Sequence, residues 1–480
     1  MASKDSGIKE RHDSAKELGL DRAAGFLHAL SQGLISNGPL ASTAVAMTSA
    51  MAFALGATPL AYLIGSLLVL TWINTPYQFS KYLASAGGMY YYVTKAGFPS
   101  AGYFAGIAYM IYYFIMPSAN FIMFALILEY ILGVNKMSYF ISFALIAMVI
   151  LMIIMVLHIT KILDYGFATA SIEMVLLIFI SLYIIHALGP HNTLAVYNYQ
   201  LASGGLSGFA VGMLIAGFGM SGSTAIVYLG SEAKTPTKII KEALLVATFI
   251  IFGLYYLVSY AFTVGWGYTN ISTLLEQPVP GLAVISKYLG FIGAVIFGIF
   301  ILNSLIGVNV AGMIVVTRLQ VAFARLGLFP GIFGKTSRKF KSPYVAAIIN
   351  ILLSGIIAIL LSIWIGPLTA MVFTILVATI GEFLGHFIGN IALPFYYRKI
   401  KLNWFLHVII PIINSIIIIF GIYYTFYPPT MPYVLAPVIL LVAFLLGYIQ
   451  LLYVKRKKDP GLRRFMEEFG RIGEDFYSKA

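Results

Sequence analysis

Cysteine is absent from this chain and charge is scarce. Without cysteine there is no disulfide framework, no thiolate metal site and no cysteine nucleophile. The redox compartment is left open. Charged residues make up 10% of the chain, against roughly 25% in a soluble globular protein. Hydrophobic residues make up 60%, and the mean hydropathy is +0.92. A water-soluble fold of 480 residues needs more polar surface than this composition supplies, so a soluble enzyme is excluded. Disorder is excluded as well, because 15% of the residues are aromatic. No phosphate-cradling Gly-x-x-x-x-Gly-Lys-[Ser/Thr] loop occurs, which argues against ATP-driven chemistry within the chain. No His/Asp/Glu set has metal-ligand spacing, so no metal or cofactor is expected.

What the chain has instead is a series of long apolar runs. A membrane-crossing helix needs about 20 apolar residues. The runs predict an all-α membrane protein with twelve transmembrane helices, near 24–55, 59–82, 102–130, 138–157, 165–188, 206–229, 239–265, 282–321, 344–365, 368–396, 404–426 and 433–454. Span 8 is too long for one crossing, and its end around 318–328 is expected to reach solvent. Segment 1–22 carries five basic and five acidic residues. It lacks the basic-then-apolar plan of a signal peptide, so the first span is expected to remain in the mature protein.

Net charge is +13. With the N-terminus placed in the cytoplasm, only Lys136 and Lys287 of the 30 basic residues fall on the outer side, leaving 28 inside. This is the positive-inside pattern. It implies a multi-pass protein of the plasma membrane with both termini cytoplasmic. The C-terminal tail, with Lys455 to Lys458, Arg463 and Arg464, reads as an anionic-lipid contact rather than a nucleic-acid one.

Two spans are poorly built as continuous helices. Span 1 carries Ser36, Asn37, Gly38 and Pro39 near its middle, where Pro39 removes a donor and Gly38 loosens the backbone. Span 6 carries Gly217, Phe218, Gly219, Met220, Ser221 and Gly222, with three glycines in six residues. Close helix packing would also favour such small residues. However, the breaks open spans 1 and 6, about 180 residues apart, as expected for two five-span inverted repeats at 23–190 and 205–398, followed by spans 11 and 12 at 399–455 and the tail 456–480. Broken helices present N–H groups at one end and carbonyls at the other. These ten residues therefore form a candidate site for a zwitterion, whose carboxylate meets N–H groups and whose ammonium meets carbonyls.

Four further stretches carry a family resemblance. They are Glu232-Ala233-Lys234-Thr235-Pro236, the glycine-tyrosine loop from Ser85 to Val93, the series Asn309, Arg318 and Ala324-Arg325-Leu326-Gly327-Leu328-Phe329-Pro330 with Ser342-Pro343, and Asn390-Ile391-Ala392-Leu393-Pro394. In register, they resemble the amino acid–polyamine–organocation transporter superfamily over nearly the whole chain. The resemblance implies a leucine-transporter type of fold and transport of amino acids by alternating access. It also implies an aromatic gate at Phe218. The chain departs from the family at the span 1 break, where a Gly-Ser-Gly or Gly-Ala-Gly is usual. It departs again after Gly222, where Ser223 and Thr224 replace an aromatic and an acid.

Acids inside spans are costly and usually functional. Glu173 lies in span 5, near one end by the expected boundaries. The resemblance places it beside spans 1 and 8, where some relatives carry a lysine and sodium-coupled relatives hold their ion. Glu173 is the candidate proton-coupling group, with Ser304 and Asn309 as neighbours. The alternative is a structural hydrogen bond between spans 5 and 1. Glu382 and His386 lie four apart on one face of span 10. They are candidates for selectivity or gating, the alternative being a buried Glu–His pair. Tyr112 is a further candidate for the pocket wall.

The combined expectation is a proton-coupled importer of neutral amino acids, acting as a monomer or homodimer, with sodium coupling left open. The alternatives are an exchanger, a polyamine or cationic amino acid carrier, and a non-transporting membrane sensor.

Overall fold

The computed structural model describes residues 18, 20–44, 46–277, 279–425 and 431–456. Most of the tails 1–22 and 456–480 lies outside the described residues. No strand forms among those described, and one isolated bridge pairs Ala24 with Ala233. Eleven helical stretches among them are long and apolar enough to cross a membrane. This follows from the composition: in lipid each backbone N–H and C=O must be satisfied within its own segment, and apolar runs of this length do so as helices.

Eleven, not twelve, qualify because span 1 is interrupted at Gly38. Its described parts are α1 (Phe26–Asn37), α2 (Pro39–Ala44) and α3 (Ala46–Ala54), with residue 45 between the last two outside the described residues. The last piece runs through a 3-10 turn at Leu55–Ala57 into span 2 (Thr58–Ser80), so that 46–80 forms one stretch. Span 5 extends over Ile159–Leu188, opened by the His158 side chain, which accepts from Thr160 N–H. Glu173 therefore lies midway along the helix, not near its end. Span 8 (Pro280–Arg325) bends at Gly290, where φ is +69°. Its end reaches solvent as expected only at the tip, where Arg325 and Gly327 are exposed; the turns before it do not. Arg318 is 1% exposed and Phe323 is fully buried, the first by an ion pair and the second against the rings of Tyr90 and Tyr103.

Spans 3 (Pro99–Leu132) and 10 (Pro367–Tyr397) are the most enclosed, and span 6 meets both through Phe218. Spans 4 (Met137–Met155), 5 and 12 (Leu435–Val454) leave much of their leucine, isoleucine and valine surface uncovered, as lipid-facing helices do.

At the face bearing most of the basic residues, the short helix Met89–Lys95 packs beneath span 3. Burial lowers the Lys95 amine to about 8. The native state then binds fewer protons than the unfolded chain between about pH 8 and 10.5, so Lys95 makes stability rise with pH across that window. The gap in melting temperature between Lys95→Met and wild type is expected to narrow from pH 7.5 to 10. A constant gap would show that the amine stays hydrated.

Candidate substrate and coupling site

The span 1 break is built as the residues suggest. Gly38 takes the left-handed conformation (φ +54°) and its N–H closes α1 onto Leu34 and Ile35 carbonyls, both at 3.1 Å. Pro39 then opens α2, where a missing N–H is harmless. The carbonyls freed at the end of α1 are taken up from span 7 (Pro236–Trp266). The Tyr255 hydroxyl donates to Asn37 O at 2.9 Å and to Gly38 O at 3.3 Å, and the Ser42 hydroxyl also donates to Asn37 O. The Asn37 side chain donates to Gly33 O at 2.8 Å, while its Oδ1 is buried without a hydrogen-bond partner.

Span 6 is interrupted by a change of helix type. An α-helix, Leu206–Phe218, gives way to a 3-10 helix, Ser221–Leu229. The two interruptions touch at Gly222: a Cβ there would stand 2.8 Å from Ser36 O and 2.9 Å from Asn37 N. Backbone on both sides cannot yield as a side chain can. Gly222→Ala is therefore expected to push the interruptions apart, to lower the melting temperature by several degrees and to weaken substrate binding at least tenfold. Thermal melts and ligand titration check both.

Not every residue of the two breaks faces the other break. Gly217 packs on Gly65 and Val69 of span 2, and the Met220 sulfur accepts from the Ser66 hydroxyl at 3.5 Å. Gly219 approaches Ala46. Ser36 lines a cavity of about 10 Å³ with Tyr112, Tyr113, Asn120, Val308 and Asn309, room for about one water. Phe218 and Ser221 line a second cavity of about 40 Å³ with Trp72, Phe383 and Asn414. The Phe218 ring lies edge-on to Tyr112 at 6.4 Å and to Phe383 at 5.7 Å, which places it between spans 3 and 10.

Glu173 meets the broken end of span 1 directly. Its Oε2 accepts from the Ser304 hydroxyl at 2.6 Å and from Leu40 N–H at 3.3 Å, and its Oε1 accepts from Asn303 Nδ2 at 3.1 Å. Ser304 Oγ in turn accepts from Ala41 N–H at 3.1 Å. The carboxyl thus sits at the start of α2, where the helix dipole favours negative charge. Asn309 is not among its neighbours; it accepts from Asn120 of span 3 at 2.8 Å. The two residues lie on span 8 more than a turn apart, and only Ser304 reaches span 5. Asn303 and Tyr255 are partners that sequence reasoning missed. Asn303 carried a signal, being a polar residue in an apolar run beside Ser304.

Glu382 and His386 do not form a pair. His386 Nδ1 bonds the Tyr109 hydroxyl at 3.1 Å and its ring stacks on Trp72 at 3.7 Å, leaving Nε2 without a partner. Both Glu382 oxygens are buried without a hydrogen-bond partner; the Ser221 hydroxyl is nearby but out of bonding geometry. The helix turn holds the two side chains on one face, but Trp72 and Tyr109 draw the imidazole away from the carboxyl.

At the basic face, Glu232 and Arg318 join two of the recognised motifs. Arg318 Nε donates to Glu232 Oε2 at 2.9 Å and Nη2 to Oε1 at 3.2 Å, with both side chains 1% exposed.

A model of the amino acid permease family matches residues 32–463. The chain belongs to this family. It is a transporter and not an enzyme, a multi-pass membrane protein of the amino acid–polyamine–organocation superfamily. No curated protein matches this permease in sequence. Among solved structures, the permease is similar to crystal structures of the Eremococcus coleocola manganese transporter. Two mutants and a complex with an aromatic bis-isothiourea substituted compound each give a TM-score of 0.56. The two mutants are 13% identical to the permease, covering 95% of this chain and 97% of theirs. The complex is 14% identical, covering 92% and 95%. At such identity the likeness extends to the fold alone. Among the described residues no three His, Cys, Asp or Glu side chains gather as metal ligands do.

Proposed function

We propose that this permease imports amino acids by proton-coupled alternating access, in the plasma membrane with both termini cytoplasmic. Spans 1–5 and 6–10 act as the two inverted repeats. The substrate binds where Ser36 and Asn37 meet Gly222, with the unpartnered Asn37 Oδ1 as an acceptor for its ammonium group. Phe218, between Tyr112 and Phe383, serves as lid.

One observation carries the coupling. Glu173 Oε2 accepts two bonds, from Leu40 N–H and the Ser304 hydroxyl. A proton on this oxygen must displace one of them; a proton on Oε1, which accepts only from Asn303, removes the charge that strengthens both. Either way protonation of Glu173 weakens the attachment of α2 to spans 5 and 8, and so bears on the shape of the broken span. Uptake into proteoliposomes, screened over the common amino acids at two pH gradients with and without sodium, tests the reading. Accumulation driven by an inward proton gradient without sodium is expected. Strict sodium dependence would overturn the coupling, and no transport of any amino acid would overturn the function.

A further inference from the structure

Five polar atoms on four residues in one region are buried without hydrogen-bond partners: both oxygens of Glu382, Nε2 of His386, Nε1 of Trp72 and the hydroxyl oxygen of Tyr228. The four residues come from spans 2, 6 and 10. Tyr109 and Tyr113 of span 3 complete the surroundings. Their rings pack on Tyr228 at 6.0 Å each, and Tyr109, Tyr113 and Tyr228 all lie within electrostatic reach of the Glu382 carboxyl. The Trp72 indole stacks on His386 and packs on Phe383, the residue after Glu382. Among the described residues no lysine or arginine pairs with Glu382.

A carboxyl held this way is a receptor without its cation. An unpaired buried carboxylate is strongly unfavourable in the interior, and more so at membrane depth. A proton would satisfy the charge but would not need the aromatic faces. Tyrosine and tryptophan faces around a carboxyl are the chemistry that recognises organic ammonium groups. The position agrees. Ser221 lies near Glu382 and lines the 40 Å³ cavity, and the next residue, Gly222, packs on Ser36 and Asn37. Glu382 is thus one residue behind the candidate zwitterion site.

We propose that Glu382 and the aromatic side chains around it form a subsite for the distal ammonium group of the transported molecule. The substrate class is then a basic amino acid with a terminal amine, in place of the neutral one expected from the sequence. This rests on the transport reading only for the zwitterion end.

Binding to the purified full-length protein in detergent tests it with four probes, lysine, Nε-acetyl-lysine, norleucine and pentane-1,5-diamine, and with homolysine as a fifth for the Glu382→Asp variant. Wild type is expected to bind lysine at least tenfold tighter than norleucine or Nε-acetyl-lysine. Glu382→Gln is expected to lower the lysine-to-norleucine ratio at least tenfold. Glu382→Asp keeps the charge one methylene further back; it is expected to retain part of the preference and to shift it toward the longer homologue, homolysine. If Glu382→Gln does not fold, the Glu382→Asp shift decides. Equal binding of lysine and norleucine by wild type would overturn the subsite. So would an unchanged ratio in Glu382→Gln, or a change confined to the pH dependence. Diamine binding that depends on Glu382, without binding of any amino acid, would uphold the subsite and sink the amino acid reading. Binding of none of the four would overturn the subsite.

Discussion

Arg318→Met is expected to destabilise the protein by about 3–5 kcal/mol, the cost of leaving one partner of a buried ion pair alone. Glu232 and Arg318 are each 1% exposed and bonded through both carboxyl oxygens. Methionine fills much of the space but leaves a carboxylate with nothing to neutralise it. The double variant Glu232→Gln/Arg318→Met removes the charge as well and is expected to regain most of the loss. Thermal melts of the single and double variants check this; equal losses in both would show that packing, not charge, holds the site. The pair matters because of what hangs on its backbone. Glu232 O accepts from Ala24 N–H and Ala24 O accepts from Lys234 N–H, both at 2.9 Å, and Ser231 Oγ accepts from Ala86 N–H at 2.9 Å. The entry to span 1, the loop after span 2 and the loop after span 6 are therefore pinned together on one face. Freeing Arg318 is expected to loosen that face first, read as faster amide exchange at Ala24 and Ala86.

Glu173→Gln is expected to lower proton-driven accumulation at least tenfold while substrate counterflow persists. Glutamine has the shape but cannot carry the proton. It also brings a donor into a cluster of donors. Whichever way the amide lies, its NH2 faces either Leu40 N–H and the Ser304 hydroxyl, or Asn303 Nδ2. Opposed donors cost about 1–3 kcal/mol, so a moderate fall in melting temperature should accompany the loss of coupling. Glu173→Asp restores a carboxyl set back by one methylene and is expected to recover part of the accumulation. Unchanged pH-driven uptake in Glu173→Gln would overturn the assignment and leave Glu173 as a tie between spans 5 and 1.

The class of this protein was legible in its sequence, because a chain with 10% charge and 60% hydrophobic residues belongs in lipid, and apolar runs of about 20 residues shield their backbone there as helices. The span 1 break was legible too. Proline after glycine in an apolar run has local consequences that no packing undoes, and Gly38 takes the positive φ that its lack of Cβ permits. The intramembrane acids stood out by their rarity. What the acids touch was not legible, because partners of Glu173 come from residues about 130 positions away, and spacing along one helix says nothing of contacts between helices. For that reason Ser304 joins Glu173 while Asn309 turns to Asn120, and Glu382 stands apart from His386 although one helix face holds both. Arg318 shows the same division. Sequence alone placed it with the charges that orient the chain, but tertiary packing buried it against Glu232, since a guanidinium that far from water needs a carboxylate and only the folded helices bring one within reach.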